Sequence, residues 1–494
     1  MICVSIGRGR HKHLLAEHRH LVSEGAQLVE LRLDYLKRSV NLQRLLKNRP
    51  GPIVATCRRT QDGGRWAGTE ESRQMILRSA IAGGVDYIDL EEDIAATIPR
   101  YGSCQRIISL HDFRETPGNL EEIHQRLAAL DADIVKIATM AHSPHDGLRM
   151  LRLVRNSEIP TVGICMGDIG TPSRILAGKF GAPFTYSTFH HERSLAPGQL
   201  SFQQMTDIYH YDKIDPETEV YGVIADPVGH SLSPIIHNQA FNELGLNKVY
   251  LPFRVPREDL RSFLLDCDEL GVGGLSVTIP HKEDVISCID EIDEATRRIG
   301  AVNTVVFRDG KKYGFNTDLP AAMASIEPMV QLRFGETSMK NRRALILGAG
   351  GVAKTIAYGL VQQGADVVIC SRTQARSEVL ASQLECDVID WDRRHNVEAD
   401  LLVNGTPVGM HPQVDQTPFE KRGLRREMVV LDTIYNPEQT LLVKLAREAG
   451  CATATGVDMF VRQAALQFEI FTDREAPIEM MRSEFKRTIG AARQ

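Results

Sequence analysis

Between residue 2 and about residue 210, short β-branched apolar runs alternate with stretches whose apolar positions recur at helical spacing. This is the pattern of parallel strands joined by helical crossovers. Eight strands are predicted: Ile2–Ile6, Leu28–Leu33, Ile53–Cys57, Tyr87–Leu90, Arg106–Leu110, Ile134–Ala138, Thr161–Cys165 and Phe184–Thr188. Eight such units in about 200 residues fit a compact (β/α)8 barrel. An open doubly wound sheet has the same periodicity, so closure is left to the structure. A helix over Gln203–Tyr211 ends the segment, and the polar stretch Asp212–Glu219 reads as a domain boundary.

The alternation restarts at Tyr221–Ile224 and continues to about Pro320; a nucleotide-type unit opens at Ala344–Leu347, and a last helix begins near Met459. The organisation expected is α/β throughout. A barrel occupies 1–212, and an α/β substrate-binding domain occupies 219–320. A Rossmann domain follows at 321–456, and a C-terminal helix, 457–490, packs back on the substrate-binding domain.

Composition narrows the partners. With 494 residues the chain exceeds a single core, and 43% hydrophobic and 25% charged residues are those of a globular protein. No apolar run approaches the roughly 20 residues of a membrane span. A net charge of -6 gives no basic footprint for nucleic acid or anionic membrane. Nine scattered cysteines without a C-x-x-C pair argue against a disulfide framework and a zinc site, so no metal is expected and a reducing cytoplasm fits. Met1–Ile6 already reads as a strand, leaving no signal peptide.

In a barrel the active site gathers at the carboxyl ends of the strands, so charges there are informative. In Val29-Glu30-Leu31-Arg32-Leu33-Asp34, alternation puts Glu30 and Arg32 on one face. Arg58 follows the third strand, His111 and Asp112 end the fifth, and Lys136 sits inside the sixth between Val135 and Ile137. An amine buried in apolar surroundings loses its proton more easily and becomes a nucleophile toward a ketone. A histidine moves protons in both directions near neutral pH.

These residues, with Thr56-Cys57-Arg58, Gly63-Gly64, His111-Asp112-Phe113, Lys136-Ile137-Ala138 and Ala196-Pro197-Gly198-Gln199, resemble the type I 3-dehydroquinate dehydratases. The resemblance implies that Lys136 forms an imine with the substrate ketone. His111 then takes the neighbouring carbon-bound proton and protonates the departing hydroxyl. It also implies that Arg174 clamps the substrate carboxylate while Glu30, Arg32, Arg58 and Gln199 hold its oxygens. Two departures stand out: Asp62 replaces the family's glutamate before Gly-Gly, and Leu195 its serine before Ala-Pro-Gly-Gln, with Ser194 one position away. Asp62 is expected to orient His111 from its shorter stem.

Downstream, Gly348-Ala349-Gly350-Gly351-Val352 lies between a strand and a helix start, where glycines admit a pyrophosphate to the helix N-terminus. The next strand, Asp366–Cys370, ends in Ser371-Arg372-Thr373 and Arg376 instead of the acid usual for NAD, which favours the 2'-phosphate of NADP(H). Around this unit stand Gly229-His230-Ser231-Leu232-Ser233, Thr278-Ile279-Pro280-His281-Lys282, Asn303-Thr304, Asn316-Thr317-Asp318, Asn404-Gly405-Thr406 and Gly409-Met410. With Gly456 and Gln463, they resemble the shikimate dehydrogenases. That resemblance implies a catalytic pair, Lys282 and Asp318. It places Ser231 and Ser233 on the substrate carboxylate, and Thr278, Asn303 and Gln463 on ring oxygens. It also places Asn404, Thr406, Met410 and Gly456 beside the cofactor. The substrates implied are 3-dehydroquinate, 3-dehydroshikimate and shikimate. A non-catalytic sensor built on the same folds, or a quinate-preferring second enzyme, fits the same motifs.

Overall fold

The computed structural model describes residues 1–190, 195–229 and 231–491, so Ser194 and His230 lie outside the described residues. The chain divides into two compact units, Met1–Pro234 with Phe241–Val272, and Ile235–Ala240 with Gly273–Gln494.

In the first unit eight strands are present: β1 (Ile2–Ile6), β2 (Leu28–Arg32), β3 (Ile53–Thr56), β4 (Tyr87–Glu91), β5 (Gln105–Asp112), β6 (Ile134–Met140), β7 (Thr161–Met166) and β8 (Thr185–Thr188). Their order, β7-β6-β5-β4-β3-β2-β1-β8, follows the chain and brings β8 back beside β1, and the ladders are parallel. A doubly wound sheet would instead reverse its order about the first strand. The sheet is therefore a barrel, with no ladder between β7 and β8 among the described residues. The fifth strand runs two residues further than predicted, which places His111 within it.

The barrel interior fills in layers supplied by alternate strands. One apolar cluster, to which odd strands contribute Cys3, Val54 and Ile107, holds Leu28 of β2, Ile134 of β6 and Phe184 just before β8, with Tyr87 of β4 packed against them. Two residues further along each strand come Glu30, Ile134's neighbour-but-one Lys136, Tyr186 and Asp89, all buried. One period-2 step thus changes the interior from hydrocarbon to chemistry. Outside, the helix Pro144–Asn156 starts with proline at its first turn and a Ser143/Asp146 capping box, and buries Leu148, Leu151 and Val154.

The predicted helix Gln203–Tyr211 is present as far as Ile208, π-helical over Gln204–Ile208, and a 3-10 turn, Tyr211–Lys213, follows it. His210, at φ 46, breaks the helix between them. The same unit continues into β9 (Glu219–Ala225) and β10 (Lys248–Arg254), a parallel pair.

In the second unit β11 (Val272–Val277), β13 (Thr304–Arg308) and β14 (Lys311–Phe315) pair antiparallel, and β12 (Glu291–Ile292) joins β14. A separate parallel sheet holds β15 (Arg343–Leu347), β16 (Asp366–Cys370), β17 (Asp387–Val388), β18 (Leu401–Asn404), β19 (Val429–Asp432) and β20 (Ala452–Thr455). Its order, β17-β16-β15-β18-β19-β20, reverses between β15 and β18, the switch point at which such sheets bind nucleotides.

The single C-terminal helix expected is two helices, Gly456–Thr472 and Ile478–Ala491, because Asp473 turns left-handed at φ 52. Buried Gln467 ties the first of them to β11 and β13. Its Oε1 accepts from Ser276 Oγ at 2.8 Å, and its Nε2 donates to Asn303 O at 2.9 Å and Thr304 Oγ1 at 3.0 Å. No helix among the described residues is long and apolar enough to cross a membrane.

Arg73, fully buried on the helix Glu70–Ala82, bonds Glu91 at 2.7 Å, Glu70 at 2.8 Å and the Cys57 carbonyl at 2.8 Å. Arg73→Met removes the cation bonded to buried Glu91 and is expected to cost about 3 to 5 kcal/mol. Urea unfolding monitored at the barrel would show this as a lowered midpoint, and adding Glu91→Gln should restore part of the loss.

Candidate active sites

The seven residues expected at the barrel site are brought together. Glu30, Arg32, Arg58, His111, Lys136, Arg174 and Gln199 line one cavity with about 540 Å³ of atom-free space, its mouth open to solvent. Asp62, Phe113, Tyr186 and Leu195 line it as well. Its loops need their glycines: Gly63 has φ +77, and a Cβ on Gly64 would stand 2.0 Å from the Arg58 carbonyl.

Asp89 organises the floor. Its Oδ2 accepts from Lys136 Nζ at 2.9 Å, and its Oδ1 accepts from Arg58 Nη2 at 2.6 Å and Ser109 Oγ at 2.7 Å. Burial alone would raise this carboxyl, but the charges of Arg58 and Lys136 overturn that and hold it far below the usual carboxylate range. Lys136 also lies 4.2 Å from the centroid of the Tyr186 ring. A carboxylate and an aromatic face thus accompany the buried amine, where its sequence neighbours predict apolar surroundings alone.

Arg58 Nη1 approaches His111 Nδ1 to 2.5 Å. The same nitrogen lies closer still to His111 Nε2, and because a guanidinium only donates, it meets the ring as an acceptor. Burial, then the charges of Arg58 and Lys136, push His111 well below its ordinary value. It is therefore a base already free of its proton at neutral pH. Asp62 does not orient it: the Asp62 carboxylate accepts from Arg59 Nε at 2.6 Å within its own turn.

Glu30 accepts from Thr56 Oγ1 at 2.8 Å, and Arg32 is clamped by Asp34 at 2.8 and 3.0 Å. Gln199 accepts from Leu195 N at 3.0 Å. Arg174 is different. Only 2% exposed, it donates to Pro197 O at 3.2 Å, has an unpaired Nε and has no carboxylate partner among the described residues. Burial lowers its pKa to about 10.

In the second unit, Lys282 Nζ donates to Asp318 Oδ2 at 2.6 Å. Asp318 heads the helix Asp318–Phe334, and the Asn303 side chain, bonded to the Thr317 N–H at 2.8 Å and Thr317 Oγ1 at 3.0 Å, fixes that helix start. A Cβ on Gly351 would lie 3.5 Å from Lys282 Cδ, so the lysine stem runs against the head of the helix Gly351–Gln362. Gly348, at φ +107 with a Cβ that would meet Gly405 O at 2.9 Å, and Gly350, the N-cap, open the turn before that helix. Ala349 and Val352 flank them. After β16, Ser371 Oγ accepts from Thr373 N at 3.2 Å, while Arg372 and Arg376 are exposed without a carboxylate partner among the described residues.

Asn404 ends β18 and accepts from Thr406 N and Oγ1 at 3.0 and 2.7 Å. Met410 is 44% exposed, and Gly456 starts its helix with no room for a Cβ beside Ile434. Gln463 lies on that helix, and Thr278 in the turn after β11. Ser231 and Ser233 stand at the head of the helix Ser233–Glu243, where Ser233 N donates to Ser231 Oγ at 3.3 Å.

Family models match the chain in the same order. They are type I 3-dehydroquinase over residues 2–216, shikimate dehydrogenase substrate binding domain over 223–305, shikimate / quinate 5-dehydrogenase over 329–432, and shikimate 5'-dehydrogenase C-terminal domain over 456–484. The bifunctional 3-dehydroquinate dehydratase/shikimate dehydrogenase, chloroplastic, of Arabidopsis thaliana is 38% identical over 503 residues, spanning 97% of this chain and 83% of that protein. The chain belongs to this bifunctional family. The NADP(+) shikimate dehydrogenase of Methanopyrus kandleri is 44% identical over 281 residues, covering 54% of this chain and 95% of its own. A crystal structure of shikimate dehydrogenase in complex with NADP+ superimposes with TM-score 0.52 at 36% identity, covering 56% of this chain and 97% of the other.

Sequence reasoning passed over three groups that the structure sets against the expected site residues: Asp89 and Tyr186 beside Lys136, and Asp432 beside Asn404. The signal for Asp89 was present, since Tyr-Ile-Asp-Leu-Glu puts Asp89 and Glu91 on one face of β4 just as Glu30 and Arg32 share one face of β2. Asp432 ends β19 beside Asn404. It accepts from Asn404 Nδ2 at 3.0 Å and Thr440 Oγ1 at 2.6 Å, and so fixes which way the Asn404 amide faces.

Burial raises Asp432 from 3.8 to about 6, against the opposing hydrogen bonds. A folded-state value above the unfolded one makes stability greatest below the unfolded value and loses it as pH rises through the folded value. Between about pH 4 and pH 7 this single group should therefore remove about 3 kcal/mol. Asp432→Asn is expected to flatten that slope, measured as the pH dependence of the dehydrogenase unit's denaturation midpoint.

Proposed function

We propose that the two sites act in sequence, the first forming 3-dehydroshikimate from 3-dehydroquinate and the second reducing it to shikimate with NADPH. That the chain is both a dehydratase and a dehydrogenase follows from its family. The observation that carries the residue-level reading is the pair of differently partnered lysines: Lys136 with Asp89 inside a barrel, and Lys282 with Asp318 beside a glycine turn. The substrates are small molecules of the shikimate pathway.

At the barrel site the Lys136 amine attacks the substrate ketone and releases water, and the resulting imine is the electron sink that acidifies the neighbouring C–H. His111, neutral at rest, takes that proton and returns it to the departing hydroxyl, which leaves as water. A second water then frees Lys136. Arg174, buried and lacking an acid, is suited to the substrate carboxylate, which a forked guanidinium holds at two points. Glu30, Arg32, Arg58 and Gln199 hold the remaining oxygens.

At the dehydrogenase site, NADPH supplies the hydride when bound. The glycine turn and the unpartnered Arg372 and Arg376 fit its pyrophosphate and 2'-phosphate, with Ser371 and Thr373 beside them. Lys282 stabilises the oxyanion forming on the substrate and donates a proton to it, with Asp318 sharing that proton. Ser231 and Ser233 take the carboxylate, Thr278, Asn303 and Gln463 the ring oxygens, and Asn404, Thr406, Met410 and Gly456 the nicotinamide side. The intact catalytic sets and the enzymatic relatives leave neither the sensor nor the quinate alternative favoured. The domain division 1–212, 219–320 with 457–490, and 321–456 suits these assignments, as do nine unpaired thiols in a reducing cytoplasm.

Two experiments test the assignments. Borohydride added during turnover of 3-dehydroquinate should trap an adduct on Lys136, located by mass spectrometry. Lys136→Ala should form none yet still reduce 3-dehydroshikimate, and Lys282→Ala should show the reverse pattern. An undiminished adduct in Lys136→Ala would sink the imine mechanism. The Arg372→Ala/Arg376→Ala double variant should lose NADPH affinity by at least about tenfold while NADH affinity changes little, because the lost charge-assisted bonds reach only the 2'-phosphate. Equal losses for the two nucleotides would refute the assignment.

A further inference from the structure

We propose that Tyr186 is a positioning residue of the dehydratase, its ring face placing the nitrogen of Lys136 and favouring the positive charge that this nitrogen carries once it has become a protonated imine with the substrate. The proposal rests on the imine reading above and adds a group that no family assignment requires. The geometry comes from the layered interior: β6 supplies Lys136, β4 supplies Asp89 at 2.9 Å, and β8 supplies Tyr186 with Lys136 Nζ 4.2 Å from its ring centroid. Ring, amine and carboxylate are all at least nine-tenths buried. In such a desolvated site a cation over a ring face is attracted more strongly than at the surface.

Why a ring is useful here follows from counting donors. A lysine ammonium has three N–H donors and can give one to Asp89 while it waits. A protonated imine keeps only one, so its hydrogen-bonding capacity falls just as it must remain positive to draw electrons. Attraction to a ring face needs no donor and survives the change. A leucine in the same layer would fill much of the same space and offer no such face.

The hydroxyl is not the working part. Burial, with the neighbouring Cys3, Glu30 and Asp89 adding to it, pushes the Tyr186 phenol well above its ordinary value, so it keeps its proton at neutral pH. Ring and hydroxyl thus make opposite predictions for Phe.

The test uses the full chain, with the urea unfolding midpoint monitored at the barrel measured on each variant as the index of folding. Tyr186→Phe should keep most of the dehydration rate. Tyr186→Leu should lose about 10- to 30-fold in kcat, with a small change in KM and an equal slowing of borohydride-trapped adduct on Lys136. Because Tyr186→Leu can disturb the barrel by packing alone, the deciding series places phenylalanine with one, two and three ring fluorines at position 186. Fluorine drains the ring face while nearly preserving its shape, so log kcat for dehydration should fall stepwise with each fluorine. A flat series with normal trapping in the parent chain overturns the role of Tyr186 and leaves the imine reading standing. No trapping in the parent overturns both. A loss in Tyr186→Phe as large as in Tyr186→Leu would assign the effect to the hydroxyl and also overturns the proposal.

Discussion

A charge cannot sit unaccompanied inside a protein, and the dehydratase site is organised around meeting that constraint for Lys136. The amine must be inside the barrel to meet its substrate away from bulk water, so its counter-charge must be inside too. Asp89 supplies it from the strand on the far side of β5. A single carboxylate with two oxygens can serve more than one donor, and it also takes Arg58 and Ser109. Through Arg58 the same cluster reaches His111, where burial and the cationic neighbours disfavour protonation of the imidazole against the opposing charge of Asp89. One buried acid thus joins the lysine, the arginine and, through the arginine, the histidine of the proposed site.

The dehydrogenase site solves a related problem with a shorter reach. Lys282 needs no freedom to form a covalent bond, and its partner Asp318 stands at a helix start held by Asn303 and Thr317. The stiffness comes from backbone bonds: Val302 N donates to Lys282 O at 2.8 Å and Val277 N to Asn303 O at 2.7 Å, while Gln467 closes the set from the C-terminal helix. On the cofactor side Asp432 does for Asn404 what Asn303 does for Thr317, choosing one orientation of a side chain that has two.

What the sequence made legible were features carried by local period. Asp366–Cys370 matches its predicted span, and Glu30 with Arg32 could be placed on an inner face because alternation is a property of one strand. Asp89 was passed over because its meaning lies in the partners that β3, β5 and β6 bring to it. Tyr186 read as an ordinary strand aromatic, since nothing within its own strand shows that Lys136 faces it. Asp62 illustrates the converse. Homology of position suggested a bond to His111, yet Arg59, three residues earlier on the same turn, reaches the shorter side chain first. The helix expected at 203–211 ends early and the one at 457–490 is broken in two for a backbone reason, single left-handed residues at His210 and Asp473 that apolar spacing does not report.

Arg174 shows what the constraint looks like when it is deliberately left unmet. Its guanidinium is buried, has an unpaired Nε, and is held only by a carbonyl from the Ala196-Pro197-Gly198-Gln199 loop. Burial lowers its pKa to about 10, which still leaves it charged at neutral pH, so the unfavourable term is carried by the free protein. An anionic group brought beside it would remove that term, which is what suits Arg174 to the substrate carboxylate proposed for it. The loop that lends Arg174 its carbonyl also carries Gln199, so the two contacts proposed for the substrate are tied to one short segment of the chain.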